Sequence, residues 1–328
     1  MRFEDFENAM KEAVQRNLPP GWEGSELIIR HTDRIGGSYD SLTIMHPGWS
    51  AGPSINLTDM YEQRSGRIPP DWVISDYVRN MAAETEKLEK QANIIPDTYE
   101  EAKSSLYVKM VNYEANAEQL QRVPFWKMMD YAITAMHALE WADNGAPAAA
   151  YTVNRALMNK WGVTENQLIS DAIDNAEKRM PMDLRPLSSA LAEMADMPDA
   201  EDEKSDDNLL YILSNRTKVD GAAALFYPRA LDRAAEKLGS FYILPSSIHE
   251  VLLMPEKRMD ADMDAVSLDR LVRTVNRTQV EPGEVLGNRS LHYDAEKKLL
   301  ETGVDYDERK LRQDMTPNVE APERRMNL

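Results

Sequence analysis

Ser246, Ser247, His249 and Glu250 place two hydroxyls, an imidazole and a carboxylate within five positions. These are the types that hydrolytic chemistry uses, because a serine hydroxyl becomes a nucleophile only when a base takes its proton and a carboxylate orients that base. A hydrolase-like site is therefore one reading of the block. The spacing opposes a self-contained triad: such groups meet through the fold, and no Gly-x-Ser-x-Gly elbow surrounds either serine. Leu253 stands where the helical zinc-protease motif beginning at His249-Glu250 would need its second histidine. The preferred reading is structural, with a serine capping the next element, His249 satisfying a buried group, and Glu250 as its partner in fixing the turn.

The element that must position the block is Phe241-Tyr242-Ile243-Leu244, a wholly apolar run that Pro245 ends. A strand so apolar belongs inside a sheet, with the following residues emerging at a sheet end, where sites often lie. Upstream of it, Leu209 to Leu213 and Ala222 to Tyr227 read as a hairpin, and Pro228 opens a helix that buries Leu231, Ala234, Ala235 and Leu238 before Gly239. Downstream, Ser267 begins a helix with Leu268, Leu271, Val272 and Val275 inward, and Ser290 to Tyr293 reads as a strand closing the sheet.

The N-terminal third is read from the same signals. Phe3, Phe6, Met10 and Val14 predict a helix that ends before Pro19-Pro20-Gly21, and Glu26 to His31 with Tyr39 to Met45 form a hairpin about Gly36-Gly37. Ser54 to Leu57 adds a short strand, Thr58 caps a helix that Gly66 ends, and Ile74, Tyr77, Val78 and Met81 mark a longer helix. Asp97 with Glu100 has capping-box spacing, and a boundary falls here. Ser105 to Tyr113 reads as a strand. Residues 125 to 141 satisfy both helical and alternating patterns; Asn144-Gly145 favours a hairpin with Ala149 to Val153. Asn154 and Thr164 cap two successive helices, and another covers Leu187 to Met194. Pro198 to Asn208 holds six carboxylates against one lysine, the pattern of a solvated loop, and lacks the glycine-centred spacing of a calcium loop.

With 328 residues, 42% of them hydrophobic, and mean hydropathy of −0.55, the chain is a globular protein of one or two domains. A net charge of −18 and a pI of about 4.8 disfavour direct binding to nucleic acid or anionic lipid, and no basic run offsets them. An acidic mimic of nucleic acid, acting as an anti-defence inhibitor, stays open. The absence of cysteine removes disulfides, thiolate nucleophiles and Cys-ligated metals, and points to a cytoplasmic home. The N-terminus is acidic and amphipathic rather than a basic region with an apolar core, and no apolar run approaches the ~20 residues of a membrane span, so neither export nor membrane association is expected. His31, His46, His137, His249 and His292 show no ligand spacing, no glycine-rich phosphate loop occurs, and neither a metal nor a cofactor is expected.

The segments YILSNRTKVDGAAALFYPRALDRAAEKLG, FYILPSSIHEVLLMP and LDRLVRTVNRTQVEPGEVLGNRSLHY resemble the domain of unknown function numbered 5688, found in gut Clostridia and often near mobile elements. VNYEANAEQLQRVPF, TVNRALMNKWGVTENQLISDAI and INLTDMYEQRSGRI fit the same family, so the resemblance spans about residues 1 to 295. It carries no catalytic residue over. A looser similarity to a second bacterial family, in which a strand also ends in a Pro-Ser block, implies a shared α+β core. The expected architecture is α+β: a small N-terminal helix and hairpin part over 1 to 96, a larger mixed-sheet part with flanking helices over 97 to 303, and a disordered tail over 304 to 328. The expected function is that of a binding or interaction protein with a protein partner, accessory to a mobile element.

Overall fold

The computed structural model describes residues 1–34, 37–47, 52–90, 95–194, 209–260 and 263–315. The protein is α+β, and its chain divides into two compact units: 1–104 with 115–124 and 154–163, and 105–114 with 125–153 and 164–328. The first unit therefore runs past residue 96 and takes up two later stretches. Every strand pairing in the described residues is antiparallel, where a mixed sheet was expected in the larger part.

The first unit contains helix α1 (Phe3–Arg16), strands β1 (Glu26–Arg34), β2 (Gly37–Met45) and β3 (Ser54–Asn56), and helices α2 (Leu57–Gln63), α3 (Asp71–Lys90), α4 (Tyr99–Lys103), α5 (Ala117–Leu120) and α6 (Arg155–Trp161). Its strands lie in the order β1-β2-β3. Phe6, Met10 and Val14 of α1 pack with Leu42, Ile44, Ile55, Ile74 and Val78, which is the apolar face that the helical spacing predicts. Each such side chain contributes about 1.5–3 kcal/mol by leaving water. Caps fall near their expected places with small shifts. Asn56, not Thr58, caps α2 by accepting from Asp59 N at 3.1 Å, while the Thr58 hydroxyl accepts from Asp40 N. The capping box before α4 is Thr98 with Glu101, and Asp97 instead pairs with Lys160 at 2.8 Å.

Among the described residues the second unit holds two sheets. Strands β4 (Leu106–Asn112), β5 (Phe125–Met128), β6 (Tyr131–Trp141) and β7 (Pro147–Thr152) form one, with the long β6 pairing with the other three. The 125 to 141 ambiguity thus resolves as two strands, and Gly145, at φ 81, turns β6 into β7 as Asn144-Gly145 predicts. Helix α7 (Glu165–Arg179), capped by Thr164, packs on this sheet. The second sheet contains β8 (Met182–Pro186), β9 (Tyr211–Asn215), β10 (Phe241–Leu244), β11 (Val251–Pro255), β12 (Leu291–Asp294) and β13 (Leu299–Thr302) in the order β13-β12-β10-β11-β9-β8. Helices α8 (Leu187–Met194), α9 (Ala230–Leu238), α10 (Ala265–Gln279) and α11 (Gly303–Met315) flank it.

β10 is interior, as its composition requires, and all four of its residues are buried. Tyr242 and Leu244 pack with Met254, Leu268, Val272 and Tyr306 of α10, α11 and the neighbouring strand. Phe241 lies against Tyr293, whose hydroxyl donates to Asp232 of α9 at 2.6 Å.

Two further expectations are overturned. Residues 221–226 form a 3-10 helix rather than the second strand of a hairpin, because both edges of β9 are taken, by β8 and β11. Its Gly-Ala-Ala-Ala run is small enough to pack its backbone closely instead. The segment from Val304 is helix α11 through Met315, not a disordered tail; it is anchored by charged side chains and one tyrosine, so it lacks the apolar stripe that marks most docked helices. Residues 316–328 and the acidic Pro198 to Asn208 segment lie outside the described residues.

Candidate functional site

Pro245 ends β10 because proline has no N–H for the ladder, and the chain then turns through Ser246 to Glu250 into β11. Ser247 organises this turn. Its hydroxyl donates to Glu250 Oε1 at 2.8 Å and accepts from the backbone N–H of His249 at 3.1 Å and of Glu250 at 3.3 Å. The turn is also clamped from both sides. Ile248 N donates to Glu284 O and Leu286 N to Ser246 O, while Ala222 N donates to Ile248 O and the Ser214 hydroxyl to His249 O at 2.7 Å.

His249 does not meet Glu250. Its Nδ1 accepts from the backbone N–H of Asp220 at 3.3 Å, which leaves the proton on Nε2, directed at Glu284 Oε1 at 3.3 Å. Side-chain exposures of 32% for His249 and 40% for Glu284 leave this pair open to solvent at its outer edge. The four block residues are therefore close in space, but no serine hydroxyl is bonded to the imidazole. Ser246 and Ser247 are buried.

Sequence reasoning missed the inner half of the constellation. Asp220 is buried and stands in the left-handed region at φ 49 and ψ 30, an arrangement that aspartate tolerates better than most residues. Its carboxylate lies 3.4 Å from Lys109 Nζ of β4 and accepts from the Tyr107 hydroxyl. Burial, followed by the Asp220 charge and its hydrogen bond, pushes the Tyr107 phenol far above its ordinary value, so it stays a donor. Lys109 was visible as the one charge in the otherwise apolar LYVKMV, and Asp220-Gly221 as a turn dipeptide. Their union depends on two segments more than a hundred positions apart.

Gly221 shows how tightly this corner is built. A Cβ there would lie 2.1 Å from Ser214 Oγ and 2.3 Å from His249 O. Gly221→Ala is expected to cost about 1–3 kcal/mol through overpacking, read as a lower urea midpoint at unchanged slope. An unchanged midpoint would contradict the close approach.

The other histidines sit elsewhere. His31 pairs with Asp40 at 2.7 Å, the His46 ring bonds the carbonyls of Pro47 and Gly21, His137 lies in β6 and His292 in β12. Among the described residues no group of three or more His, Asp or Glu side chains is placed to hold a metal ion. Also among the described residues, no helix is long and apolar enough to cross a membrane.

Fold and block together define an α+β protein in which a serine-histidine turn is locked between a half-buried lysine paired with a buried aspartate and a surface carboxylate. The chain belongs to the family of unknown function DUF5688, whose model matches residues 3–295. No curated protein and no solved structure matches it.

Proposed function

We propose that this protein acts by binding another protein, in the cytoplasm and as an accessory of a mobile element, rather than by hydrolysis at the Pro245 to Glu250 turn. The observation that carries this reading is the commitment of both His249 ring nitrogens, one to the Asp220 N–H and one to Glu284, while the Ser247 hydroxyl is spent on Glu250. A general base needs a free nitrogen within reach of the proton it takes. The net charge of −18 opposes direct contact with nucleic acid, and the cysteine-free composition fits a reducing compartment.

The test compares His249→Ala and Glu250→Ala with the parent in urea melts and in a screen of ester, phosphoester and peptide substrates. Each substitution leaves a buried partner unmatched and is expected to cost about 1–3 kcal/mol, with no turnover by any of the three proteins. Unchanged midpoints, together with a hydrolytic activity of the parent that His249→Ala abolishes, would replace this reading with the hydrolase.

A further inference from the structure

Asn144-Gly145 turns β6 into β7, and the same dipeptide carries chemistry that the hairpin does not need. Asn144 is the one asparagine of the chain that glycine follows. A Cβ on the following residue crowds the approach of its backbone nitrogen to the asparagine side-chain amide, and glycine leaves that approach open. Asn144 is exposed at the loop tip, so water and base reach it.

The closed hairpin engages both groups that would react. Gly145 N donates to Ala142 O at 2.9 Å and Ala142 N donates to Ala146 O at 2.8 Å, the bonding of a short loop closed by a glycine bulge. Gly145 stands at φ 81, as such a bulge requires. Asn144 Oδ1 accepts from Ala146 N at 3.0 Å, an Asx turn. The loop is also seated on its surroundings. A Cβ on Gly145 would lie 3.6 Å from Arg179 O at the end of α7 and 4.0 Å from the Thr217 methyl, and the Arg179 guanidinium lies 4.6 Å from the centre of the Trp141 ring. Asp220-Gly221 is the related aspartate pair, but its carboxylate is buried beside Lys109, and a carboxylate resists nucleophilic attack.

We propose that Asn144 is a site of spontaneous deamidation whose rate is set by the β6–β7 hairpin: slow while the loop is closed, and fast each time it opens. On opening, Gly145 N gives up its proton and attacks Asn144 Cγ. The bond from Cγ to the side-chain amide nitrogen breaks, and that nitrogen leaves with the proton as ammonia. The succinimide so formed takes up one water. Hydrolysis at the Cγ carbonyl gives aspartate on an ordinary backbone; hydrolysis at the backbone carbonyl of residue 144 gives isoaspartate, whose main chain runs through Cβ and Cγ and is one carbon longer. Aspartate keeps the oxygen that accepts from Ala146 N. Isoaspartate lengthens the loop, which then misfits its closing bonds and the register of Trp141 with Pro147. The modification therefore records how often this hairpin opens and, in its isoaspartate form, keeps it from closing. This inference does not depend on the reading of the Pro245 to Glu250 turn.

The test incubates full-length protein at mildly alkaline pH, folded and in urea above its unfolding midpoint, and follows every asparagine by proteolysis and mass spectrometry. In urea, conversion begins at residue 144 ahead of the other asparagines, and in the folded protein the same site converts about tenfold or more slowly. Pro147→Gly loosens the exit of the loop without touching Asn144 or Gly145; it speeds folded conversion several-fold and leaves the rate in urea unchanged. Aged parent, its isoaspartate read by an isoaspartate-specific methyltransferase, has a lower urea midpoint than fresh parent, whereas Asn144→Asp has the midpoint of fresh parent. The comparison of folded and unfolded parent needs no variant, and equal rates there overturn control by the hairpin, as does folded Pro147→Gly converting at the parental rate. Conversion in urea that begins at other asparagines overturns Asn144 as the site. Asn144→Asp as unstable as the aged parent overturns isoaspartate as the product that holds the hairpin open.

Discussion

Lys109→Met lowers the stability of this protein by about 3–5 kcal/mol, the cost of leaving a buried carboxylate without its cation. Asp220 is 8% exposed at its side chain and Lys109 18%, so water reaches neither well enough to replace the partner. The Tyr107 hydroxyl remains bonded to Asp220 but brings no charge. The loss follows from orphaning Asp220 rather than from the pair being strongly favourable, and a double substitution separates the two. Lys109→Met with Asp220→Asn is expected to recover much of the stability, because asparagine keeps the left-handed backbone and needs no counter-charge. The check is a set of urea midpoints for parent, both single variants and the double. Additive losses in the double would show that the pair is not coupled and would remove it from the account of the site.

The second large effect is one of pH. His137 is 4% exposed within β6 and stacks on Tyr151 with centroids 5.1 Å apart, and burial pushes its imidazole down to about 4 from an ordinary value of 6.5. Folded, the ring stays neutral where the unfolded chain has already taken up a proton. Protons thus favour the unfolded state as pH falls, and stability declines from about pH 6.5 until the folded ring titrates near 4, below which this contribution is flat. The full difference amounts to about 3 kcal/mol. His137→Phe keeps an aromatic stack on Tyr151 but cannot bind a proton. Its stability is expected to fall less than the parent's between pH 7 and 4 by that amount, measured by urea melts at several pH values. Parallel curves for the two proteins would refute the assignment. Glu256, with its folded carboxyl held low, also loses stabilisation in acid, but equally in both proteins, so the comparison isolates His137.

Much of this protein is determined by neighbouring residues alone. The α1 face, the hairpin turns at Gly37 and Gly145, the Asn154 and Thr164 caps and the interior position of β10 all follow from side-chain spacing, φ preference or capping oxygens within a few positions. These forces act over one turn of chain, and a single sequence displays them. The block from Ser246 to Glu250 was legible as a polar turn at a strand end for the same reason. Tertiary structure alone decided what each of its groups touches. His249 turns to Asp220 and Glu284 because the 3-10 segment and the 284–286 segment close on it from opposite sides, and Lys109 finds Asp220 because β4 packs against that 3-10 segment. The same limit explains the misread ends. Ala222 to Tyr227 has strand-like composition, yet β8 and β11 already hold both edges of β9. α11 has a disordered-looking composition, yet Tyr242, Glu256 and His292 wait beneath it, and polar partners brought together from four separate segments leave no periodicity in the chain.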